Sequence, residues 1–173
     1  MKISGITMVK NEEEFIGYTI MSMYHHLDEI IVVDGGSEDN TENIIAHIIE
    51  NHDPDCKIKF WKDYRPKHEL IHVRNDMVAV CTGDWILRLE GDEVYSDRNG
   101  NKVIEYLKSG RILPNNLSVG WPYYFFVNDI NTFVPIGQNH TFATIMIQNN
   151  QGIYADHHDK GGGETFYDEG WFS

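Results

Sequence analysis

Glu29-Ile30-Ile31-Val32-Val33-Asp34-Gly35-Gly36-Ser37-Glu38-Asp39-Asn40-Thr41 is an apolar strand that runs into a glycine turn and then into a helix start. The continuous β-branched run ending at Val33 is of the kind buried on both faces of a parallel sheet. Gly35 and Gly36 permit a tight turn, and Asp39 or Asn40 is placed to cap a helix whose inner face is Ile44, Ile45, Ile48 and Ile49. Upstream, Lys2 to Val9 reads as a strand. Asn11-Glu12-Glu13-Glu14 then opens a helical pattern that puts Phe15, Ile16, Thr19, Ile20 and Met23 on one face, with acids in the first turn where the helix dipole favours them. Downstream, Lys57 to Trp61 reads as a third strand. Tyr64-Arg65-Pro66 leads from it to a helix ending near Thr82-Gly83, with Gly83 as the stop signal. Strand and helix alternate three times before a fourth strand, the pattern of an α/β domain with a mostly parallel central sheet flanked by helices.

The fourth strand lies in Gly83-Asp84-Trp85-Ile86-Leu87-Arg88-Leu89-Glu90-Gly91-Asp92-Glu93 and ends in three carboxylates within four positions. Ligands of such sheets bind beyond the carboxyl ends of the strands, where Asn11, Asp34 and Glu90 to Glu93 fall. If the segment stays extended, Glu90 and Asp92 project to one side and can face one hard divalent cation, Mg2+ or Mn2+, with Gly91 allowing close approach of a ligand. The same residues read equally well as a solvated acidic turn.

Taken as a set, these segments resemble family 2 glycosyltransferases of the GT-A fold. The resemblance rests on Val9-Lys10-Asn11-Glu12-Glu13, on Ile31 to Thr41, on Arg74-Asn75, and on Gly83 to Leu87 followed by Glu90-Gly91-Asp92-Glu93, in the family's order and spacing over roughly residues 1 to 97. It implies a single Rossmann-like GT-A domain. Residues 1–97 would be its nucleotide-sugar-binding half, and 98–173 a smaller antiparallel acceptor-side region. It further implies a donor site that includes Val9, Asn11, Glu13, Asp34, Arg74, Glu90 and Gly91, and a metal on the diphosphate held by Glu90 and Asp92. The implied reaction moves a sugar from a nucleoside diphosphate to a hydroxyl acceptor with inversion. Two departures stand out: Glu90-Gly91-Asp92 replaces the family's usual Asp-x-Asp, and Gly35 follows Asp34 where many relatives carry a second acid.

The later half carries a helical stretch near Lys102 to Lys108 and strand-like segments at Val119 to Val127 and His140 to Ile147. Ile153-Tyr154-Ala155-Asp156-His157-His158-Asp159 is similar to the ending of the subgroup related to lipopolysaccharide-core glucosyltransferases. That similarity makes His158 a candidate third metal ligand, although paired histidines in a chain with 9 of them read equally as surface residues. Asp159 and Glu164 are candidates for the general base that deprotonates the acceptor.

Composition narrows the alternatives. With 14 basic and 27 acidic residues the net charge is -13, which disfavours nucleic acid or an anionic membrane as a partner. A bound cation and a local arginine still allow a nucleotide sugar. No apolar run approaches a membrane span and no signal peptide is visible, while the two cysteines, Cys56 and Cys81, lack metal-ligand spacing; a cytoplasmic setting is expected. The abrupt end at Gly170-Trp171-Phe172-Ser173 fits a truncated piece of a longer protein. His68-Glu69-Leu70-Ile71-His72 matches the H-E-x-x-H pattern of zinc hydrolases, a rival reading if all five residues share one helix. A nucleotide-sugar-binding domain without turnover is the other alternative.

Overall fold

The structure, a computed structural model, describes residues 1–96, 101, 102, 104–106 and 109 with their side chains, and the backbone of six strands beyond them. The first half alternates as the sequence pattern requires: β1 (Ile3–Val9), α1 (Ile16–Tyr24), β2 (Glu29–Asp34), α2 (Thr41–His52), β3 (Ile58–Lys62), a 3-10 turn (Lys67–Glu69), α3 (Leu70–Ala79) and β4 (Trp85–Arg88). The later strands are β5 (Ser118–Trp121), β6 (Phe126–Val127), β7 (Asp129–Phe133), β8 (Ala143–Gln148), β9 (Ile153–His157) and β10 (Glu164–Asp168).

The main sheet has the order β3-β2-β1-β4-β8-β5. β1 to β4 are mutually parallel, and β8 and β5 extend the sheet antiparallel at the β4 edge. Two small antiparallel pairs, β9 with β10 and β6 with β7, complete the later half. The expected aromatic strand at Val119 to Val127 is therefore two short strands that belong to different sheets.

Every residue of β2 is buried, because helices cover both faces of the sheet. On one face Ile16, Ile20, Met23 and Tyr24 of α1, with Ile45 and Ile48 of α2, pack on Ile3, Val9, Ile30, Val32, Trp85 and Leu87. On the other, Val73, Met77 and Val78 of α3 pack on Ile6, Ile31, Val33 and Ile86. Neighbouring strand residues alternate between the two cores, as the pleat demands. Residues 101, 102 and 104–106 are helical, and Ile104 joins the first core.

Two boundaries differ from the sequence expectation. α1 starts at Ile16 and has no acid in its first turn. Asn11 takes φ 58, and the Glu12 carbonyl accepts from the N–H groups of both Phe15 (3.1 Å) and Ile16 (2.9 Å), so a turn absorbs the acids and delays the helix. Phe15 is consequently 44% exposed and lies outside the core. α3 ends at Ala79, before Gly83. The role of Gly83 is packing: a Cβ there would lie 2.6 Å from both the backbone nitrogen and the hydroxyl of Ser4.

Candidate functional site

Strand order reverses at β1. The chain steps from β1 through β2 to β3 on one side, and β4 then returns to the other. The crevice of such a sheet lies beyond the carboxyl ends of the strands at the reversal, between the segments that follow β1 and β4.

The loops after β1 and β2 form one unit through reciprocal hydrogen bonds. The Gly35 N–H donates to the Val9 carbonyl (2.8 Å). The Asn11 N–H donates to Ser37 Oγ (2.9 Å), and the Glu38 N–H donates back to Asn11 Oδ1 (2.8 Å). Likewise the Glu12 N–H donates to Thr41 Oγ1 (2.8 Å), the Glu13 N–H to Asp39 Oδ2 (3.1 Å), and the Asn40 N–H to Glu13 Oε2 (2.9 Å). The Asn11 Oδ1 and Glu13 Oε2 acceptors, both assigned to the donor by resemblance, are thus engaged in knitting the loops. Asp39 also accepts the Thr41 N–H at the start of α2 (3.0 Å), whereas Asn40, in the N-cap position, makes no side-chain cap.

Asp34 closes β2 and is only 1% exposed. Its Oδ1 accepts from the Ser37 N–H (2.9 Å) and hydroxyl (2.6 Å). Its Oδ2 is buried without a hydrogen-bond partner among the described residues. An unsatisfied buried carboxylate oxygen is costly, and a ligand that donates to it recovers that cost.

Beyond β4 the chain does not stay extended. The Leu89 N–H still bonds to the Ile6 carbonyl (2.9 Å), but the Glu93 N–H turns back to the Glu90 carbonyl (3.1 Å), and Gly91 and Asp92 lie in the turn. Glu90 and Asp92 therefore do not share one side of an extended strand. Their disposition comes from the turn and its anchors. Thr19 Oγ1 on α1 donates to the Gly91 carbonyl in a buried bond of 2.9 Å. Gly91 lies flat against the crevice wall, where an added Cβ would stand 2.9 Å from Val9 Cγ1 and 3.0 Å from Glu12 Cγ.

The two acids of the expected metal pair differ in their surroundings. Glu90 Oε1 accepts from Arg88 Nε at 2.8 Å. Asp92 is exposed and has no ion pair among the described residues. Burial first, then the charges of Asp92 and Asp39, raise the pKa of Glu12. Burial also raises Glu93, followed by the charges of Glu90 and Asp92, with Arg88 opposing. Carboxylates from two loops therefore crowd one place, where the charge of Asp92 disfavours ionisation of both Glu12 and Glu93. The sequence placed Thr19 on the inner face of α1 and Glu12 in the resembling segment, but the contacts that Glu12, Ser37 and Thr19 make with distant loops span 26 or more positions and leave no local signal.

The remaining site residues separate cleanly. Arg74 is half-buried on α3, on the face of the sheet opposite α1 and α2. Among the described residues no three His, Cys, Asp or Glu side chains converge to hold a metal. The H-E-x-x-H stretch is split, since His68 and Glu69 lie in the 3-10 turn and His72 on α3, and His68 faces Glu69 itself at 3.5 Å. His158 and Asp159 lie outside the described residues. For Glu164 the structure gives only its pairing with His157 at the β10–β9 edge.

Comparison with known proteins agrees with this arrangement. The chain belongs to glycosyl transferase family 2, whose family model matches residues 4–170. An uncharacterised glycosyltransferase of Rickettsia typhi is 32% identical over 106 residues, 61% of this chain and 32% of that protein. The SPbeta prophage-derived glycosyltransferase SunS of Bacillus subtilis is 32% identical over 96 residues, 56% of this chain and 21% of that protein. The matched region thus spans about a third or less of these curated relatives. Among solved structures, TarS of S. aureus superposes with a TM-score of 0.55 and 15% identity over 86% of this chain and 47% of TarS. A Pyrobaculum calidifontis mannosyltransferase solved with GDP-Man and Mn2+ superposes with a TM-score of 0.55 and 22% identity over 69% of this chain and 34% of that one. These likenesses establish the GT-A type of α/β fold. Among the described residues no helix is long and apolar enough to cross a membrane.

Proposed function

We propose that this chain carries the donor site of a glycosyltransferase that moves a sugar from a nucleoside diphosphate to a hydroxyl acceptor, with inversion at the anomeric carbon and dependence on Mn2+ or Mg2+. The observation that carries the reading is the turn Glu90–Glu93, pinned by Thr19 beside Glu12 at the strand reversal, with Asp92 exposed and without an ion pair among the described residues. Mutually repelling carboxylates at such a place are relieved by a cation, and a hard ion that retains sites for phosphate oxygens needs only one or two protein carboxylates. The donor set fits that ion: Asp92 is the principal ligand, and Glu12 or Glu90 supports it. When bound, the metal supplies positive charge to the departing diphosphate. A structural neighbour that holds GDP-Man and Mn2+ supports the same assignment.

The protein's own groups do the rest. Asp34 accepts a hydrogen bond from the nucleotide through Oδ2, the Val9 and Gly91 walls shape the cleft, and Arg74 on α3 meets the donor's negative charge. Asn11 and Glu13 act by holding the two loops together. In the later half, His158 is the proposed further metal ligand and Asp159 or Glu164 the base that takes the acceptor's proton, in the manner of the lipopolysaccharide-core glucosyltransferase-like subgroup. Residues 1–97 form the donor half and 98–173 the acceptor half of one cytoplasmic domain.

Replacing Asp92 tests the reading. Asp92→Asn preserves shape at an exposed position but removes the charge, so it abolishes the Mn2+-dependent part of nucleotide binding and leaves the thermal transition of the metal-free protein within about 2 °C, since surface changes alter stability little. Unchanged Mn2+-supported titration curves for this variant would overturn the metal assignment.

A further inference from the structure

Tyr64 is 71% exposed at the carboxyl edge of the sheet, immediately beyond β3. A single exposed aromatic is ordinary, but this one is built in from three sides. Beneath it lies Gly36, at φ 84, where a Cβ would come within 2.9 Å of Tyr64 Cδ1 and 3.1 Å of Cε1, so the ring rests against bare backbone that only glycine leaves open. On its N-terminal side the Asp63 N–H donates to the Asp34 carbonyl (2.9 Å). On its C-terminal side Arg65 forks onto both Asp63 oxygens, Nε to Oδ1 at 3.0 Å and Nη2 to Oδ2 at 2.5 Å, and reaches Asp76 of α3 (2.5 Å). Lys62, the last residue of β3, is tied to Glu42 of α2 at 2.5 Å. The chain on either side of the ring is thus fixed, and the ring's surface stays open to solvent. It stands at the turn that carries Asp34, whose Oδ2 has no donor among the described residues.

We propose that Tyr64 is a nucleobase platform: the base of the donor nucleotide stacks on the open face of its ring, while Asp34 accepts from an N–H on the base edge. The assignment rests on the nucleotide-sugar reading above and adds a residue to it. A flat heteroaromatic with an N–H donor satisfies both groups at once, and the base of a nucleotide is such a group. Because stacking uses the ring face, the phenol hydroxyl is dispensable. The fixed chain on either side of the ring lowers the ordering cost of binding, as preorganisation does generally.

The test is calorimetric titration of UDP, GDP and inorganic pyrophosphate, each with MnCl2, into the full chain and its Tyr64→Ala and Tyr64→Phe variants. For the nucleotide that the unaltered protein binds, Tyr64→Ala is expected to raise Kd about 5- to 100-fold, the range of base–aromatic stacking. Tyr64→Phe stays within about twofold, because the stacking face persists. Pyrophosphate, which has no base, binds all three proteins alike. Nucleotide affinity untouched by Tyr64→Ala would overturn the platform and leave the nucleotide-sugar reading standing. So would equal losses for pyrophosphate, or a Tyr64→Phe loss as large as that of alanine. Failure of the unaltered chain to bind either nucleotide would overturn both.

Discussion

Two glycines show how differently the same residue is used. At Gly91 the atoms that an added methyl would strike are side-chain atoms, Val9 Cγ1 and Glu12 Cγ, and the Glu12 side chain can swing aside. Gly91→Ala is therefore expected to fold with a loss of about 1–2 kcal/mol in urea unfolding and to weaken Mn2+-supported nucleotide binding, because Glu12 must move. At Gly83 the obstacle is Ser4 backbone 2.6 Å away, which cannot yield without disturbing β1. Gly83→Ala should cost about 3 kcal/mol, and a urea midpoint matching that of Gly91→Ala would contradict this distinction. Asp34 gives a third measurable case. Its Oδ2, without a partner among the described residues, is assigned to the nucleotide and not to the sugar, so Asp34→Ala should weaken a free nucleoside diphosphate and the intact sugar donor by the same factor, about tenfold for one lost hydrogen bond. A loss confined to the sugar donor would move Asp34 to the sugar subsite. Asp34, Gly91 and Asp92 were recognisable in the sequence as a motif set. The roles of Ser37, Thr19 and Glu12 were not: helical spacing put Thr19 on the inner face of α1, but its bond to Gly91, like the Ser37 and Glu12 contacts, joins segments far apart in sequence.

At the scale of elements, β2 is anchored at its other end by a buried acid. Glu29 receives hydrogen bonds from Ser4 Oγ (2.6 Å), from the Thr82 backbone and hydroxyl, and from Lys59 Nζ (2.8 Å), joining β1, β2, β3 and the segment before β4. Burial alone would raise its pKa, but the Lys59 ammonium and the Ser4 and Thr82 bonds reverse this and bring it down to about 2. A depressed carboxylate stabilises the fold fully above its unfolded value near 4.5 and loses that contribution as pH falls toward 2. The contribution is at most about 3 kcal/mol, and less because Lys59 is half-exposed. Glu29→Gln should therefore lower the urea midpoint at pH 7 and flatten its decline between pH 4.5 and 2; a decline parallel to the unaltered protein would refute the assignment. Strands and helices of this half were legible because β2 is uniformly apolar and α2 repeats isoleucine at helical spacing. The starts and stops were not, since the turn at Asn11 to Phe15 depends on a positive φ and on a shared Glu12 carbonyl. The β5 to β8 order was illegible for another reason: antiparallel addition at the β4 edge is decided by long-range pairing, such as Leu87 with Met146, rather than by local pattern.

For the whole molecule, the charge of -13 acts on every ligand that approaches. A nucleoside diphosphate is itself an anion, so in the absence of divalent metal it is repelled by the protein as a whole and by the cluster of Glu12, Glu90, Asp92 and Glu93 in particular. Mobile salt screens that repulsion over about 10 Å at 0.1 M. Metal-free UDP or GDP binding, measured in EDTA, should therefore strengthen modestly between 50 and 300 mM NaCl. The Mn2+ ion is drawn by the same field, so its own affinity in the presence of saturating nucleotide should weaken over that range. The two slopes have opposite signs because one anionic cleft acts on ligands of opposite charge. Asp92→Asn should reduce both, raising metal-free nucleotide affinity while lowering that for Mn2+. If both affinities fell with salt, the nucleotide would be held by a positive surface, the donor site would lie away from the Glu90–Glu93 turn, and the charge of the molecule would no longer explain a need for a metal.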